Sequence, residues 1–136
     1  MIWLLDANVL IALSDEEHLH HQRSALWFAA QSCFATCPIT EGALARYLLR
    51  QGVDTATVQA TVDWLHRHPD HQFWPGSLSY RSIDLTQVIG HRQATDAYLV
   101  SLVREHGPKA QLATLDEALA GLYQDAVTLI PEPPQS

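Results

Sequence analysis

The sequence predicts an α/β domain, a three-layer α/β/α sandwich with a central, mainly parallel sheet of four to five strands. Short apolar runs alternate with amphipathic helical segments through most of the 136 residues. The runs are apolar throughout, as expected of strands buried on both faces of a parallel sheet. The length suits one domain with a sizeable core, and we expect that domain to span residues 1–130.

Boundary residues and periodicity define each predicted element. Asp6 ends the first apolar run, Pro38 opens a helix that stops at Gly52, and Asp54 caps the next. Thr95 is expected to cap a strong helix that ends before Gly107. The predicted strands are 2–5, 33–37, 71–74, 111–114 and 127–130, and the predicted helices are 8–13, 18–31, 38–51, 55–68, 95–106 and 117–122. Residues 84–89 are expected to form one or two helical turns, and residues 131–136 a flexible tail.

Composition narrows the class of protein. With 47% apolar residues the chain is expected to fold, yet no window holds the roughly 18 apolar residues of a membrane span. The N-terminus lacks the basic segment of a secretory signal, which predicts a cytoplasmic protein. Cys33 and Cys37 fit neither a redox pair nor a zinc quartet, and we interpret them as ordinary thiols.

The formal net charge is −7, with one Lys and seven Arg. This is the wrong sign for a protein that binds nucleic acid through basic side chains alone. Either the chain does not bind nucleic acid, or bound cations neutralise part of its charge and face the phosphate.

Four acidic residues are expected at one edge of the sheet. Asp6 and Asp116 follow predicted strands, whereas Glu41 and Asp96 lie in the first turns of predicted helices. In a parallel α/β layout the carboxyl ends of strands and the amino ends of helices share this edge, where ligands bind. Singly, each acid except Asp6 is more typical of a helix cap; together they indicate a site.

Such a cluster needs compensation. Two carboxylates ~5 Å apart repel by roughly 3 kcal/mol at an effective dielectric constant of about 20. The group must therefore share protons, spread into solvent or bind cations. Oxygen ligands without clustered His or Cys favour a hard ion, Mg²⁺ or Mn²⁺. The eight His residues, including the close group His18, His20 and His21, match no zinc motif and are interpreted as surface residues.

The acidic residues lie in four blocks that together resemble the PIN-domain nucleases, specifically the VapC toxins of bacterial toxin–antitoxin pairs. The blocks occur in the family's order and span roughly residues 1–130. They are residues 4–10 (Leu-Leu-Asp-Ala-Asn-Val-Leu), 37–41 (Cys-Pro-Ile-Thr-Glu) with Arg46, 91–99 (His-Arg-Gln-Ala-Thr-Asp-Ala-Tyr-Leu) and 112–116 (Leu-Ala-Thr-Leu-Asp). Gly42 departs from the family pattern, since related toxins often carry Asn after the acid.

The resemblance implies a PIN-like fold and a Mg²⁺- or Mn²⁺-dependent endoribonuclease that cleaves cellular RNA (tRNA, rRNA or mRNA). It also implies a homodimer and a VapB-type antitoxin that holds the enzyme inactive. Asp6 and Asp96 are assigned as principal metal ligands, and Asp116 as a direct or water-mediated ligand. Glu41 would orient the attacking water or bridge a second ion.

Four further residues are candidates to support this chemistry. Asn8 and Thr114 either hold the carboxylates by hydrogen bonds or are ordinary turn and cap residues. Arg46 either reaches a phosphate or neutralises Glu41. Arg92 is a second candidate for a phosphate contact.

Two other functions compete with RNA cleavage. A metal-dependent phosphatase with Asp6 as nucleophile would need an acid–base carboxylate two residues later, where the sequence has Asn8. A non-catalytic module would use the acidic edge only to dock a basic partner.

Overall fold

A five-stranded, all-parallel sheet lies between two layers of helices in the computed structural model, which describes residues 1–134. The elements are β1 (Ile2–Leu5), α1 (Ala7–Ser14), α2 (His21–Ala29), β2 (Phe34–Thr36), α3 (Pro38–Arg50), α4 (Thr55–Arg67), β3 (His71–Phe73), a 3₁₀ turn (Tyr80–Ser82), α5 (Gln93–His106), β4 (Ala110–Thr114), α6 (Glu117–Leu122) and β5 (Val127–Leu129). The strand order is β3-β2-β1-β4-β5. The predicted α/β class and parallel sheet are confirmed.

Each central strand contributes to two cores. Leu4 and Leu112 pack in one cluster with the buried face of α5, and Leu5 and Ala113 pack in a second cluster with α1 and α3. Side chains alternate between the two faces of a strand, so both faces must be apolar when helices cover both. This explains why all four residues of β1 and three of the five residues of β4 are apolar.

The register of β1 and β4 places the ends of both strands side by side. Leu5 pairs with Ala113, and the backbone N–H of Asp6 donates to the carbonyl of Ala113 over 2.9 Å. The residues that follow each strand therefore begin at the same edge of the sheet. Strand β2 lies on the other side of β1 and leads into α3 at this edge.

The start of α5 differs from the prediction. The N-cap is Arg92, so the assignment of Thr95 to this position is wrong. A turn precedes the helix, in which the N–H of Gln93 donates to the carbonyl of Gly90 over 3.0 Å. Because this turn runs directly into the helix, no side-chain cap is required. Asp96 nevertheless lies in the first turn of α5, as predicted.

The expected helical turns at residues 84–89 are absent from the described chain, which has a turn at residues 86–87 there. Asp84 Oδ1 accepts hydrogen bonds from the N–H and the hydroxyl of Thr86 at 3.0 and 2.7 Å. Such local side-chain bonds compete with helical ones. The 3₁₀ turn at Tyr80–Ser82 ends before this segment.

The C-terminal segment contacts α2. The Nε of Arg23 donates to the carbonyls of Ile130 and Pro131 at 3.0 and 3.3 Å, and its guanidinium lies 3.1 Å from Glu132. Part of the predicted flexible tail, residues 135–136, lies outside the described residues.

Over residues 1–134, none of the helices has both the length and the apolar character needed to cross a bilayer.

Candidate metal-binding site

Asp6 lies at the C-terminal end of β1 and caps α1. Its Oδ1 accepts from the N–H of Ala7 at 2.8 Å, and its Oδ2 accepts from the Thr114 hydroxyl at 2.7 Å. The side chain is only 7% exposed. Burial raises the pKa of Asp6 above its ordinary value and the charge of Asp116 adds to this, while the two hydrogen bonds oppose it. The carboxylate is thus held in a fixed position, and its two hydrogen bonds only partly offset the free-energy cost of burying its charge.

Thr114 joins Asp6 to Asp116. Its hydroxyl, fully buried at the end of β4, donates to Asp6 and accepts from the N–H of Asp116 at 3.1 Å. Asp116 in turn caps α6, since its Oδ1 accepts from the N–H of Leu119 at 3.1 Å. One threonine therefore fixes the spacing of two acidic residues that are 110 positions apart in the sequence.

Asn8 completes this network from α1. Its Nδ2 donates to the Thr114 hydroxyl at 3.2 Å, and its Oδ1 accepts from the N–H of Leu115 at 3.1 Å. Both ends of the amide are thus bonded to the segment that carries Asp116. The geometry places Asn8 and Thr114 as the residues that orient the loop between β4 and α6.

Asp96 approaches the same place from α5. Burial raises its pKa from the ordinary value of 3.8 to about 6, and the charges of Asp6 and Asp116 contribute to the shift. Among residues 1–134, no Lys, Arg or His forms an ion pair with any of these three carboxylates. We refer to Asp6, Asp96 and Asp116 as the aspartate cluster. It gathers negative charge for which the described protein supplies no cation.

The donor set of the aspartate cluster suits a hard divalent ion. Every candidate ligand is a carboxylate oxygen, as Mg²⁺ and Mn²⁺ prefer. The raised pKa of Asp96 indicates that the site favours added positive charge, either a proton or a cation. A cleft of about 160 Å³ opens beside Asp96 and Asp116 and is also lined by Arg92. The cleft gives a ligand access to Asp96 and Asp116.

Glu41 lies in the first turn of α3, and its carboxylate contacts side chains of β2 and α4. Its Oε2 accepts from the Thr36 hydroxyl at 2.6 Å and lies 2.7 Å from His66 Nε2. The Thr36 hydroxyl also lies 2.7 Å from His71 Nε2. Burial and the charge of His66 lower the pKa of His71. The sequence placed Glu41 at this edge of the sheet but gave no signal for its histidine partners, which come from α4 and β3.

The two arginine candidates are exposed and differ in position. Arg92 lines the cleft beside the aspartate cluster. Arg46 lies over Gly42, where an added Cβ would come within 3.4 Å of its guanidinium. In the described chain Arg46 forms no ion pair with Glu41, whose partner is His66. The suggestion that Arg46 neutralises Glu41 is therefore not supported by the structure.

The cysteines do not contribute to the site. Cys37 is buried and Cys33 is partly buried, and both are free thiols. Cys33 immediately precedes β2, and Cys37 immediately follows it. They are the ordinary thiols that the sequence indicated.

Comparison with known proteins agrees with this fold. No protein-family model matches the sequence. Ribonuclease VapC29 of Mycobacterium tuberculosis is 48% identical over 132 residues, which cover 96% of this chain and 98% of the relative. Ribonuclease VapC38 of the same species is 34% identical over 128 residues and covers 89% of each chain.

Solved structures show the same fold at low sequence identity. The sarcin–ricin loop cleaving toxin VapC20 of M. tuberculosis aligns with a TM-score of 0.68 at 13% identity, over 88% of this chain and 94% of that one. VapBC2 of Rickettsia felis, bound to a DNA fragment from its promoter, aligns with a TM-score of 0.63 at 16% identity, over 95% and 98%. Together with the sequence relatives, these similarities establish that the chain belongs to the VapC family of PIN-domain ribonucleases, the toxins of toxin–antitoxin systems.

Proposed function

We propose that this VapC ribonuclease cleaves RNA at the aspartate cluster with the help of Mg²⁺ or Mn²⁺. The observation that carries the proposal is the convergence of Asp6, Asp96 and Asp116 without a cation from residues 1–134. Burial, followed by the charges of Asp6 and Asp116, raises the pKa of Asp96 to about 6. A divalent ion held by these residues would polarise the scissile phosphate and lower the pKa of an attacking water. Asp6 and Asp96 are the principal ligands, and Asp116 binds directly or through water.

The protein contributes position and charge. Thr114 and Asn8 fix Asp6 and the segment of Asp116, so the carboxylates are oriented before the substrate arrives. Glu41 orients the attacking water. Both of its side-chain contacts in the described chain use Oε2, which leaves Oε1 to accept a hydrogen bond from that water. Arg92, beside the cleft, binds a phosphate next to the scissile one.

The two competing functions are less consistent with these observations. Asn8 carries an amide, which is not an acid–base group, and both ends of this amide are bonded to the β4–α6 segment, so the site lacks the second carboxylate of a phosphatase. A module that only docks a basic partner does not require the family relationship to named ribonucleases. RNA cleavage accounts for both the acidic residues and the relatives.

Asp96→Asn tests the proposal most directly. Asp96 makes no side-chain hydrogen bond in the described chain, so the substitution removes a charge with little effect on packing. Wild type and variant are incubated with total cellular RNA and Mg²⁺, and the new RNA ends are sequenced. Defined ends that need Mg²⁺, disappear with a chelator and are absent from the folded variant are expected. Cleavage by Asp96→Asn at the wild-type rate would contradict the proposal.

The partners of this chain follow from its relatives. The R. felis structure contains a VapBC pair on promoter DNA. We propose that a VapB-type antitoxin likewise binds this chain in the cytoplasm and covers its acidic edge. We also propose a homodimer, because Leu26 and Trp64 leave apolar surface exposed on α2 and α4 (52% and 62%). Light scattering during size-exclusion chromatography tests the dimer, and co-purification with the product of a neighbouring gene tests the antitoxin.

A further inference from the structure

The geometry points to a second metal site, formed by Glu41, His66 and His71, that binds a borderline transition-metal ion such as Zn²⁺ or Co²⁺. We refer to these residues as the histidine–glutamate cluster. One ligand atom from each residue lies within 4.8 Å of the others. The inference concerns binding of an ion and does not depend on RNA cleavage.

The distances suit such an ion. Zinc binds imidazole nitrogen and carboxylate oxygen at about 2.0–2.2 Å, so tetrahedral ligand atoms lie roughly 3.3 Å apart. In the structure His66 Nε2 and Glu41 Oε2 are 2.7 Å apart, and the widest separation in the cluster is within 4.8 Å. Small side-chain adjustments are therefore enough to place an ion between the three ligand atoms.

The ligand types distinguish this cluster from the aspartate cluster. Two imidazoles and one carboxylate form a mixed nitrogen and oxygen set, which favours first-row transition metals over Mg²⁺. Three protein ligands leave the fourth tetrahedral position to water, as in catalytic zinc sites. The three residues come from α3, α4 and β3, so folding brings them together.

The surroundings orient the ligands. Thr36, fully buried at the end of β2, donates to Glu41 Oε2 and also contacts His71 Nε2. The His71 ring packs 5.2 Å from the Phe34 ring and 4.6 Å from the His66 ring. Glu41 and His71 are partly buried, whereas the His66 side chain is 38% exposed. Two ligands are thus held by the core, and the third lies on the solvent side, where an ion enters.

Zinc binding to the full chain is measured by equilibrium dialysis at neutral pH with excess Mg²⁺ present to occupy the aspartate cluster. We expect one tightly bound Zn²⁺ per wild-type chain. His66→Ala/His71→Ala removes two of three ligands and should weaken binding by more than about 100-fold, because even residues that only orient ligands contribute 10- to 100-fold. Co²⁺ should give the visible absorption of a tetrahedral site in wild type and lose it in this variant.

Matched controls distinguish this site from binding at the chain's remaining histidines or at the aspartate cluster. His18→Ala/His20→Ala removes two neighbouring histidines elsewhere in the chain and should keep the ion. Asp96→Asn should also keep it, which separates this result from the test of RNA cleavage. If circular dichroism shows that the His66→Ala/His71→Ala protein is unfolded, His66→Gln replaces it, with an expected loss of at least about tenfold. Equal Zn²⁺ binding by wild type and the folded cluster variant, or loss of the ion in either control, would overturn the inference.

Discussion

The aspartate cluster and the histidine–glutamate cluster lie near the same edge of one sheet but meet the cost of negative charge differently. Glu41 accepts a hydrogen bond from a buried threonine and has the imidazole of His66 2.7 Å away. Asp6 and Asp116 accept hydrogen bonds, but in the described chain none of Asp6, Asp96 and Asp116 forms an ion pair. Burial and repulsion between these carboxylates raise the pKa of Asp96 to about 6. The comparison indicates that carboxylates without a protein cation favour a hard ion, whereas a carboxylate beside imidazoles favours a softer one.

The largest expected effect is on the rate of RNA cleavage, which should depend more on the aspartate cluster than on Glu41. Asp96→Asn should lower kcat/KM for RNA by more than about 100-fold, since loss of a metal ligand exceeds the 10- to 100-fold cost of losing a group that orients one. Glu41→Gln keeps the size of the side chain and should cost about tenfold, the lower end of that range, because Glu41 acts on water. Rates on a defined RNA that is cut by wild type provide the measurement. Equal losses would mean that the clusters act as one site.

Thr114→Val tests the hydrogen bonds that support the aspartate cluster. The hydroxyl donates to Asp6 and accepts from Asn8 and the Asp116 N–H, so its loss should weaken Mg²⁺-dependent activity by about 10- to 100-fold. It should also lower the free energy of unfolding by about 1–3 kcal/mol, because buried groups lose a partner.

Thr36→Val is the matched control, since Thr36 is equally buried at the end of β2. We expect a similar loss of stability and no change in the Mg²⁺ concentration needed for half-maximal activity. Urea unfolding and Mg²⁺ titrations of the cleavage rate measure both quantities. A shift in Mg²⁺ requirement for Thr36→Val as large as for Thr114→Val would remove the distinction between the clusters.

The free energy of unfolding of the metal-free protein should depend on pH because of Asp96. Its pKa is about 6 in the folded protein and 3.8 ordinarily, so folding favours the protonated acid. This stabilisation is complete below pH 3.8 and is lost as pH rises through about 6. Because Asp96 is only partly buried, we expect a loss of about 1 kcal/mol, well below the full value of the shift.

Asp96→Asn should abolish this part of the pH dependence, and its metal-free form should be more stable than wild type above pH 6. Saturating Mg²⁺ should remove the difference or reverse it, since only wild type retains the ligand. Urea unfolding of both proteins at several pH values, with a chelator and with Mg²⁺, provides the comparison. The same change in metal-free stability for both proteins as pH rises from 3.8 through about 6 would contradict the assignment.

The smallest effect concerns the approach of RNA. Arg92→Gln should raise KM a few-fold and lower the slope of log affinity against log salt by about 0.7–0.9, the value for one phosphate contact. Arg50 lies in the last turn of α3, so Arg50→Gln serves as the control and should change neither the KM nor the salt slope. Binding of RNA to an inactive Asp96→Asn background at several salt concentrations measures the slope. An identical slope for both arginine variants would exclude Arg92 from the RNA-binding surface.

The sequence determined the sheet and the position of the acidic residues along it. Strand β1 and helix α6 have the predicted bounds, because Asp6 interrupts an apolar run and Asp116 caps a short helix. Periodicity and caps are local, so they can be read without a structure. The start of α5 at Gln93 could not be read in this way, since a backbone turn replaces the expected Thr95 cap.

Tertiary structure alone decided which charges meet. The sequence placed four acidic residues at one edge, but only the packing of α4 against α3 and the pairing of β3 with β2 bring His66 and His71 to Glu41. Residues 25 and 30 positions apart carry no shared periodicity, and their contact depends on strand order and on the buried Thr36 between them. Local pattern therefore specified where acidic residues accumulate, whereas long-range packing specified which side chains lie beside them.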